Sequence, residues 1–261
     1  MYDQYLEFAK QLAYEAGGVM RRYFKNGVAT SLKEDRTIVT IADKEINSLV
    51  IKRVQESYPD HRVDGEEESF HQDSKNAWVC DPIDGTNPFA MGLSISVFSL
   101  ALVVDGTPVV GVIYEPYNDK LYCAVKDGGA FLNDEKISVS SEGLNDKARI
   151  NFDWWPKAEY DVLTPLQQLS KDHGVYLLSP GSTTHMGALV ARGEFVASVF
   201  AGTKGKNVDI AAVKVIVEEA GGKATDLFGS DQRYDQDLKG SVVSNGVVHD
   251  QVIEYLKELV Q

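Results

Sequence analysis

The apolar residues of the chain are spaced in a way that predicts alternating helices and strands. Over residues 5–24 they recur every three or four positions, which is typical of a helix with one buried face. The same spacing predicts helices at 42–57, 163–173, 182–191, 208–220 and 249–260. Short β-rich runs predict strands at 37–40, 77–80, 148–152, 175–178, 195–200 and 241–244. The pattern therefore indicates a mixed α/β chain.

A longer strand-rich segment covers residues 95–125. Its apolar runs are separated by the turn pairs Asp105-Gly106, Glu115-Pro116 and Asn118-Asp119, which is typical of consecutive antiparallel strands. The polar, glycine-containing residues 140–147 follow and predict a domain boundary. We therefore expect an N-terminal α+β part over residues 1–140 and a C-terminal α/β part over residues 141–261.

The composition is that of an ordinary globular protein. The 261 residues are 43% hydrophobic and 25% charged, which is enough for a sizeable core without disulfides or a structural metal. The net charge of −13 argues against nucleic acid or an anionic membrane as a partner, because both attract basic surfaces. A small anionic substrate is still compatible with this net charge, since a bound cation reverses the sign of the charge locally.

The absence of targeting signals and the positions of the two cysteines bear on the expected location of the protein and on its disulfide content. No uninterrupted apolar stretch reaches about 18 residues, so no membrane-spanning helix is predicted. The N-terminus has neither the basic nor the apolar region of a secretory signal, and a cytoplasmic protein is expected. Cys80 and Cys123 lie in apolar runs, which favours buried reduced thiols, with a single disulfide as the alternative.

Three acidic segments carry the candidate chemistry: 64–69, 81–86 and the residues around Asp209. Asp81 follows a predicted buried strand and Asp84 comes three residues later, so that a turn can bring both carboxylates to one side. Two carboxylates that lie close together repel each other unless a cation lies between them, which favours Mg²⁺ or Mn²⁺. Gly85 and Thr86 then offer backbone N–H groups and a hydroxyl suited to a phosphate.

Each acidic segment also has a structural interpretation. Asp81 and Asp84 are compatible with a simple Asx-turn, Asp209 with a helix cap, and the acids 66–68 with a solvated loop. The histidines are scattered without a His-x-x-x-His pair, so a zinc site is not predicted. The sequence also lacks the G-x-S-x-G string of serine hydrolases and the glycine-rich loop of nucleotide-binding proteins.

Taken in order, the three segments resemble the inositol monophosphatase family of magnesium-dependent, lithium-sensitive sugar phosphatases, a superfamily that includes fructose-1,6-bisphosphatase. The matching residues are 65–67, 78–86, 209–212 and 219–222, with support from Lys33, 39–43 and 181–183. The resemblance covers nearly the whole chain. It implies a layered αβαβα sandwich of the α/β (α+β) class and a phosphoric monoester hydrolase. It further implies two or three Mg²⁺ ions, with Mn²⁺ as a substitute, and a homodimer.

The resemblance assigns the metal ligands by position. It implies that Glu66, Asp81 and the backbone carbonyl of Ile83 hold one ion, and that Asp81, Asp84 and Asp209 hold a second. A third, more weakly bound ion would lie near Glu66. All of these ligands are oxygen atoms, as Mg²⁺ prefers.

The resemblance also assigns the catalytic and substrate-binding residues. Glu66 and Thr86 would position the attacking water, with Asp43 behind Thr86 as the proton acceptor. The amides of Gly85 and Thr86 would hold the phosphate, while Asp209 and residues 181–183 would face the alcohol. The implied substrate contacts are Asp84, Gly85, Thr86, Gly181, Ser182, Thr183 and Asp209.

The sequence departs from the family pattern at three places. Asn87-Pro88 stands where Thr-Asn is usual, and Val208 replaces the usual Trp, as in members that accept fructose 1,6-bisphosphate. Residues 200–206 contain no acid, whereas inositol-specific members commonly carry a Glu there to bind ring hydroxyls. Lys204 and Lys206 would instead meet a second phosphate or lie exposed in solvent.

These departures leave the substrate open. The leading hypothesis is hydrolysis of inositol monophosphate or a similar small sugar or polyol phosphate. The alternatives with the same chemistry are fructose 1,6-bisphosphate, histidinol phosphate and 3′-phosphoadenosine 5′-phosphate. A regulatory or binding protein that keeps the fold without turnover is a further alternative, against which the complete ligand set argues.

Overall fold

Two β-sheets alternate with three layers of helices in the computed structural model, which describes residues 2–24, 30–32, 38–155, 158–202 and 207–257. The helices of this described part are α1 (Asp3–Tyr23), α2 (Ile41–Ser57), α3 (Thr86–Ala90), α4 (Leu163–His173), α5 (Thr183–Ala191), α6 (Ala211–Glu219) and α7 (His249–Leu256). The strands up to residue 136 are β1 (Thr30–Leu32), β2 (Ile38–Thr40), β3 (Arg62–Gly65), β4 (Asn76–Asp84), β5 (Val97–Val104), β6 (Thr107–Glu115), β7 (Lys120–Val125), β8 (Gly129–Leu132) and β9 (Glu135–Lys136). The later strands are β10 (Arg149–Asp153), β11 (Tyr176–Leu178), β12 (Ala197–Phe200), β13 (Lys223–Thr225) and β14 (Ser241–Ser244).

The two sheets differ in strand direction. The first sheet has the order β3-β4-β5-β6-β7-β8-β9; its β3–β4 pair is parallel and its other pairs are antiparallel. The second has the order β11-β10-β12-β14-β13, in which β10 runs parallel to β11 and β12. The short β1–β2 pair is separate from both sheets. The antiparallel strands predicted within 95–125 are confirmed as β5, β6 and β7.

The central strands β4, β5 and β6 of the first sheet are buried on both faces because helices cover both. Trp78 and Leu100 pack in the core that includes α1 and α2, whereas Val79 and Ala101 pack in the core that includes α5 and α6. Successive residues of a strand point to opposite faces, so a strand buried on both sides has a continuous apolar run. This arrangement explains why residues 77–80 lack the polar alternation of a half-exposed strand.

The second sheet completes the layers. Its outer face packs against α4 and α7 in a core that contains Ile150, Leu166, Val199 and Val252. Helices α5 and α6 lie between the two sheets and contact strands of both. The layer order is therefore α1/α2, first sheet, α5/α6, second sheet, α4/α7. The predicted αβαβα sandwich is confirmed.

Most of the predicted helices and strands are found within a few residues of their predicted positions. Strand β4 is longer than predicted and continues through Asp84, with a register shift against β5 between Asp81 and Asp84. Helix α6 begins at Ala211 and not at residue 208, because residues 207–210 form a separate turn in which the Ile210 and Ala211 N–H groups donate to the Asn207 carbonyl. Residues 37 and 258–260 of two predicted elements lie outside the described residues. The domain boundary at residue 140 stays a prediction.

Cys80 and Cys123 are both buried and unpaired, which confirms the prediction of reduced thiols. They lie on β4 and β7, two strands that β5 and β6 separate in the first sheet. In the part of the chain that the structure describes, no helix is long and apolar enough to cross a membrane.

Two adjacent glycines in α1 allow a direct test of its packing. A Cβ atom at buried Gly17 would overlap the Tyr114 ring and lie 3.2 Å from Cβ of Pro116, whereas a Cβ at exposed Gly18 would meet nothing within 4 Å. Alanine at either position gains helix propensity. We expect Gly17→Ala to have a free energy of unfolding about 1–3 kcal/mol below that of Gly18→Ala, because only the former overpacks the core.

Urea denaturation of both variants beside the unsubstituted protein measures this difference. Because the propensity gain is common to both variants, the difference between them isolates the steric effect. Equal unfolding free energies would contradict the packing of α1 on β6.

Candidate active site

Three aspartates lie close together at the carboxyl end of strand β4 in the first sheet. One carboxylate oxygen from each of Asp81, Asp84 and Asp209 lies within 4.8 Å of the other two, and all three residues are buried. Asp81 and Asp84 come from the end of β4, while Asp209 comes from the turn that precedes α6. The structure thus brings together residues 125 or more positions apart in the sequence, as the hypothesis of a shared metal site requires.

The bulge at the end of β4 positions the first two aspartates. Asp81 Oδ1 accepts a hydrogen bond of 2.9 Å from the Ile83 N–H, so the Asx-turn interpretation is also correct for this segment. Gly85 follows with φ +85°, and a Cβ there would lie 3.1 Å from the Gly181 carbonyl oxygen and from Ser182 Cβ. The positive φ and the close approach both favour glycine at this position.

The N-terminal end of α5 holds Asp84 in place. Ser182, the N-cap of α5, donates its hydroxyl to Asp84 Oδ2, and the Thr184 N–H donates to the same oxygen at 3.0 Å. The Thr184 hydroxyl donates to the backbone carbonyl of Asp209 at 2.8 Å. Helix α5 therefore links β4 to the 207–210 turn and fixes the relative position of two of the three carboxylates.

The turn that carries Asp209 has its own anchor. The Asn207 side chain donates to the Tyr234 carbonyl at 2.8 Å, which ties the turn to the polar segment before β14. The N-cap of α6 is Ile210, whose side chain makes no capping hydrogen bond. Asp209 precedes this N-cap and is therefore not the N-cap residue itself, and its carboxylate belongs to the three-aspartate group.

Burial and mutual repulsion dominate the electrostatics of the site. Burial raises the pKa of Asp84 well above its usual range, and the negative charges of Asp209 and Asp153 raise it further. The hydrogen bonds from Ser182 and Thr184 act in the opposite direction. Carboxylates this close keep their charge together only when a cation lies among them, and an all-oxygen donor set suits Mg²⁺ or Mn²⁺. The residues present therefore fit the metal that the family resemblance implies.

A second group of residues lies beside the aspartates. Asp43 and Thr40 form a capping box at the start of α2, in which Asp43 Oδ2 accepts from the Thr40 N–H at 2.8 Å and from the Thr40 hydroxyl at 2.5 Å. Oδ1 of Asp43 accepts from the Thr86 hydroxyl at 3.3 Å. Burial raises the pKa of Asp43 to about 6, while the Thr40 hydrogen bonds lower it. The Asp43–Thr86 contact that the resemblance implies is thus present in the structure.

The acidic segment after β3 contacts both β4 and α2. The Glu66 N–H donates to the Cys80 carbonyl at 3.1 Å, next to Asp81 in the chain. The Asn47 side chain accepts from the Glu67 N–H at 3.2 Å and donates to the Glu68 carbonyl at 2.8 Å, so α2 holds this segment in place. Glu66 lies outside the close three-aspartate group and is half-buried. Its negative charge helps to raise the pKa of Asp43.

The remaining predicted site residues lie along the start of α5 and next to β4. Gly181 and Ser182 are next to Gly85, and the Ile83 carbonyl accepts from the Thr86 hydroxyl at 3.0 Å. The Thr183 hydroxyl donates to Asp153 Oδ2 at 2.6 Å. Lys33, Lys204 and Lys206 lie outside the described residues. The roles of the site residues stay predictions, although the structure brings most of these residues close together.

Sequence reasoning missed Asp153. This residue ends strand β10, after an apolar run, just as Asp81 follows the apolar residues of β4. An acid at the carboxyl end of a strand was therefore the available signal. Asp153 lies outside the segments that carry the family resemblance, so no second observation supported this signal.

Comparisons with known proteins agree with this geometry. The model of the inositol monophosphatase family matches residues 1–261. The solved structure of an inositol monophosphatase from Thermotoga maritima superposes with a TM-score of 0.88 at 27% identity, covering 98% of both chains.

Named relatives differ in their substrates. The chain is 30% identical to a fructose-1,6-bisphosphatase/inositol-1-monophosphatase of Aquifex aeolicus, covering 99% of this chain and 97% of the relative. It is 34% identical to a histidinol-phosphatase of Chlorobaculum parvum, covering 86% of each chain. All of these comparisons identify one family and one reaction class. The chain belongs to the inositol monophosphatase family and is a phosphoric monoester hydrolase.

Proposed function

We propose that this protein is a Mg²⁺-dependent phosphatase of small sugar or polyol monophosphates, with inositol monophosphate as the first candidate substrate. The observation that carries the proposal is the buried group of Asp81, Asp84 and Asp209. Buried carboxylates this close are unfavourable in a metal-free fold and favourable around a divalent cation. With divalent cations bound, this site would attract a phosphate dianion despite the chain's net charge of −13.

The proposed ligands form two overlapping sets. Asp81, Asp84 and Asp209 hold one ion, while Glu66, Asp81 and the Ile83 carbonyl hold another, with a third and weaker position near Glu66. Mn²⁺ is a substitute because it takes the same oxygen ligands. When bound, the ions neutralise the phosphate, lower the pKa of water and stabilise the leaving oxygen.

The residues beside the ions position the water and take up its proton. Glu66 and the Thr86 hydroxyl hold the attacking water in line with the phosphorus–oxygen bond that breaks. The Thr86 hydroxyl has one proton, which it shares between Asp43 Oδ1 at 3.3 Å and the Ile83 carbonyl at 3.0 Å. Asp43, with its pKa raised to about 6, is suited to act as the base near neutral pH.

The substrate lies between β4 and α5 in this proposal. The backbone N–H groups of Gly85 and Thr86 contact the phosphate, and Asp84 lies against it. Asp209 and residues 181–183 face the alcohol. Positioning and charge neutralisation carry the reaction, as in other phosphoryl transfers, so no protein nucleophile is needed.

The second candidate substrate is fructose 1,6-bisphosphate. It is favoured by Val208, and by the absence of an acid from residues 200–206. The name of the Aquifex aeolicus relative covers both substrates, and the Chlorobaculum parvum relative is named a histidinol-phosphatase. Histidinol phosphate therefore belongs in the same substrate panel, and 3′-phosphoadenosine 5′-phosphate completes it as the remaining alternative from the sequence. A homodimer and a cytoplasmic location also stay predictions, and light scattering after gel filtration measures the first.

Phosphate release from this panel tests the proposal. We expect hydrolysis in Mg²⁺ and none after chelation, with inositol 1-phosphate among the substrates used best. We also expect Li⁺ to inhibit turnover, because it competes for a Mg²⁺ position. Assays with Mg²⁺, and with Mg²⁺ plus a Li⁺ titration, measure both effects. Turnover that survives full chelation would contradict the metal assignment.

Replacing one ligand isolates the role of the metal site. We expect Asp84→Asn to lower kcat at least a thousandfold, because one ligand charge is lost where the metal and phosphate meet. The fold stays intact, since asparagine has the same shape as aspartate and keeps an oxygen that accepts from Ser182 and Thr184. Turnover and thermal unfolding with and without Mg²⁺ are the measurements. Asp172→Asn, an exposed acid of α4, is the matched control.

The result that would contradict this assignment is near-normal turnover by Asp84→Asn. A metal-free variant that unfolds at a much lower temperature than the metal-free parent would show instead that Asp84 is structural. We expect Mg²⁺ to raise the unfolding temperature of the parent and of Asp172→Asn, and to do so far less for Asp84→Asn.

Metal binding should release protons near neutral pH. Burial and the charge of Asp209 raise the pKa of Asp84, so the metal-free protein retains a proton there that a bound cation displaces. We expect the binding enthalpy of Mg²⁺ at pH 7 to change with the ionisation enthalpy of the buffer, and to change less for Asp84→Asn. Calorimetry in two buffers measures this. Equal enthalpies in both buffers would exclude proton release.

A further inference from the structure

Asp153 lies at the carboxyl end of strand β10 in the second sheet, and this end of the strand faces the proposed active site. It is the last residue of β10, which runs parallel to β12, and it lies opposite Phe200 at the end of that strand. The carboxyl ends of parallel strands form the usual ligand-binding edge of an α/β sheet. Phe200 is buried and apolar, whereas Asp153 is half-buried. Of these two paired residues at the strand ends, Asp153 of β10 is therefore the one that can present a polar side chain to a ligand.

Three consecutive residues at the start of α5, the N-cap Ser182 followed by Thr183 and Thr184, link Asp153 to Asp84 of the proposed metal site. The Thr183 hydroxyl donates to Asp153 Oδ2 at 2.6 Å. On either side of Thr183, Ser182 donates its hydroxyl and Thr184 its N–H to Asp84 Oδ2. One turn of helix thus holds two carboxylates that come from different sheets. Asp153 is placed beside the segment that faces the alcohol part of the substrate.

We propose that Asp153 is a specificity-determining residue whose carboxylate accepts hydrogen bonds from hydroxyl groups of the alcohol that leaves. This inference rests on the proposed function and deepens it, because it names the feature of the substrate that is recognised. A carboxylate accepts hydrogen bonds strongly from hydroxyls and repels a second phosphate. The substrate class is therefore a monophosphate of a polyhydroxylated alcohol, in preference to a bisphosphate.

The contact with Thr183 preorganises this carboxylate. Thr183 is buried and opens α5, which packs between the two sheets, so the side chain that holds Asp153 is itself held rigidly. A binding residue fixed in advance loses less conformational entropy when the substrate arrives. The geometry is that of a residue held ready for a ligand, and the variants below separate this role from simple anchoring of α5.

The test compares substrates with and without hydroxyl groups on the alcohol. Inositol 1-phosphate carries them and phenyl phosphate does not. We expect Asp153→Ala to lower kcat/KM for inositol 1-phosphate about ten- to a hundredfold more than for phenyl phosphate, mainly through KM, as the loss of a hydrogen bond to a charged group predicts. Asp153→Asn keeps an acceptor but no charge, and we expect an intermediate effect on inositol 1-phosphate together with a lower KM for fructose 1,6-bisphosphate.

Controls make each outcome decisive. Asp172→Asn removes an exposed acid from α4, and we expect unchanged kinetics for both substrates. Thermal unfolding of all variants checks the fold, and the isosteric Asp153→Asn keeps the test available if Asp153→Ala unfolds. Equal losses on both substrates would show that Asp153 only anchors Thr183 and would overturn the proposal. A loss confined to histidinol phosphate would also overturn it, since the carboxylate would then recognise an ammonium group.

A failure of the proposed function would give a different experimental result from a failure of the role proposed for Asp153. It would leave the unsubstituted protein without turnover of any phosphate in Mg²⁺, which would overturn the role of Asp153 as well. Active parent protein with equal losses in Asp153→Ala would overturn the role of Asp153 alone.

Discussion

The structure depends on holding mutually repelling carboxylates close together inside the protein. Asp81, Asp84 and Asp209 are buried within a few ångströms of one another, which costs free energy in the absence of a cation. The fold meets this cost with hydrogen bonds that come from several elements. The Ile83 amide, the Ser182 hydroxyl and the Thr184 amide each donate to one of these carboxylates. Donors from β4 and from the start of α5 thus hold these carboxylates in place.

The layer order of the fold makes this assembly possible. Helix α5 lies between the two sheets, and its first turn reaches β4, the 207–210 turn and β10. A helix packed on both sides cannot shift without disturbing both cores. Asp84, Asp209 and Asp153 therefore share one rigid support, although they belong to segments far apart in the chain. Precision of this kind is what phosphoryl transfer needs, since positioning supplies much of its rate.

Much of this could be predicted from the sequence, and the reasons for the rest are physical. The helices α1, α2 and α4 follow from apolar spacing alone, because each has one buried face. The aspartates of β4 and the Asp209 segment follow from motifs whose order is specific to one family. The extension of β4 through Asp84 could not be predicted, since the bulge depends on pairing with β5. Strands β8, β9 and β13 are short and owe their conformation to neighbouring strands, so local patterns do not reveal them.

The sequence motifs led to the three grouped aspartates, but not to all of the residues that surround them. A motif identifies residues whose chemistry a whole family shares, whereas a residue outside any motif can be assigned to a site only from the fold. The part that we propose for Asp153 could not be inferred from a motif, because only the fold shows that Thr183 and Thr184 place this residue near Asp84. The same contrast applies to Ser182, predicted as a substrate contact, whose hydroxyl is directed to Asp84 in the structure.

The capping box at the start of α2 has a consequence for how this protein can evolve. Asp43 gives one oxygen to the helix, through Thr40, and the other to Thr86 at the site. Glutamate would move the carboxylate away by one methylene group, and asparagine would keep only one acceptor oxygen for the two tasks. Position 43 is therefore open to almost no neutral change. A lineage that altered its chemistry there would have to rebuild the first turn of a helix in the same step.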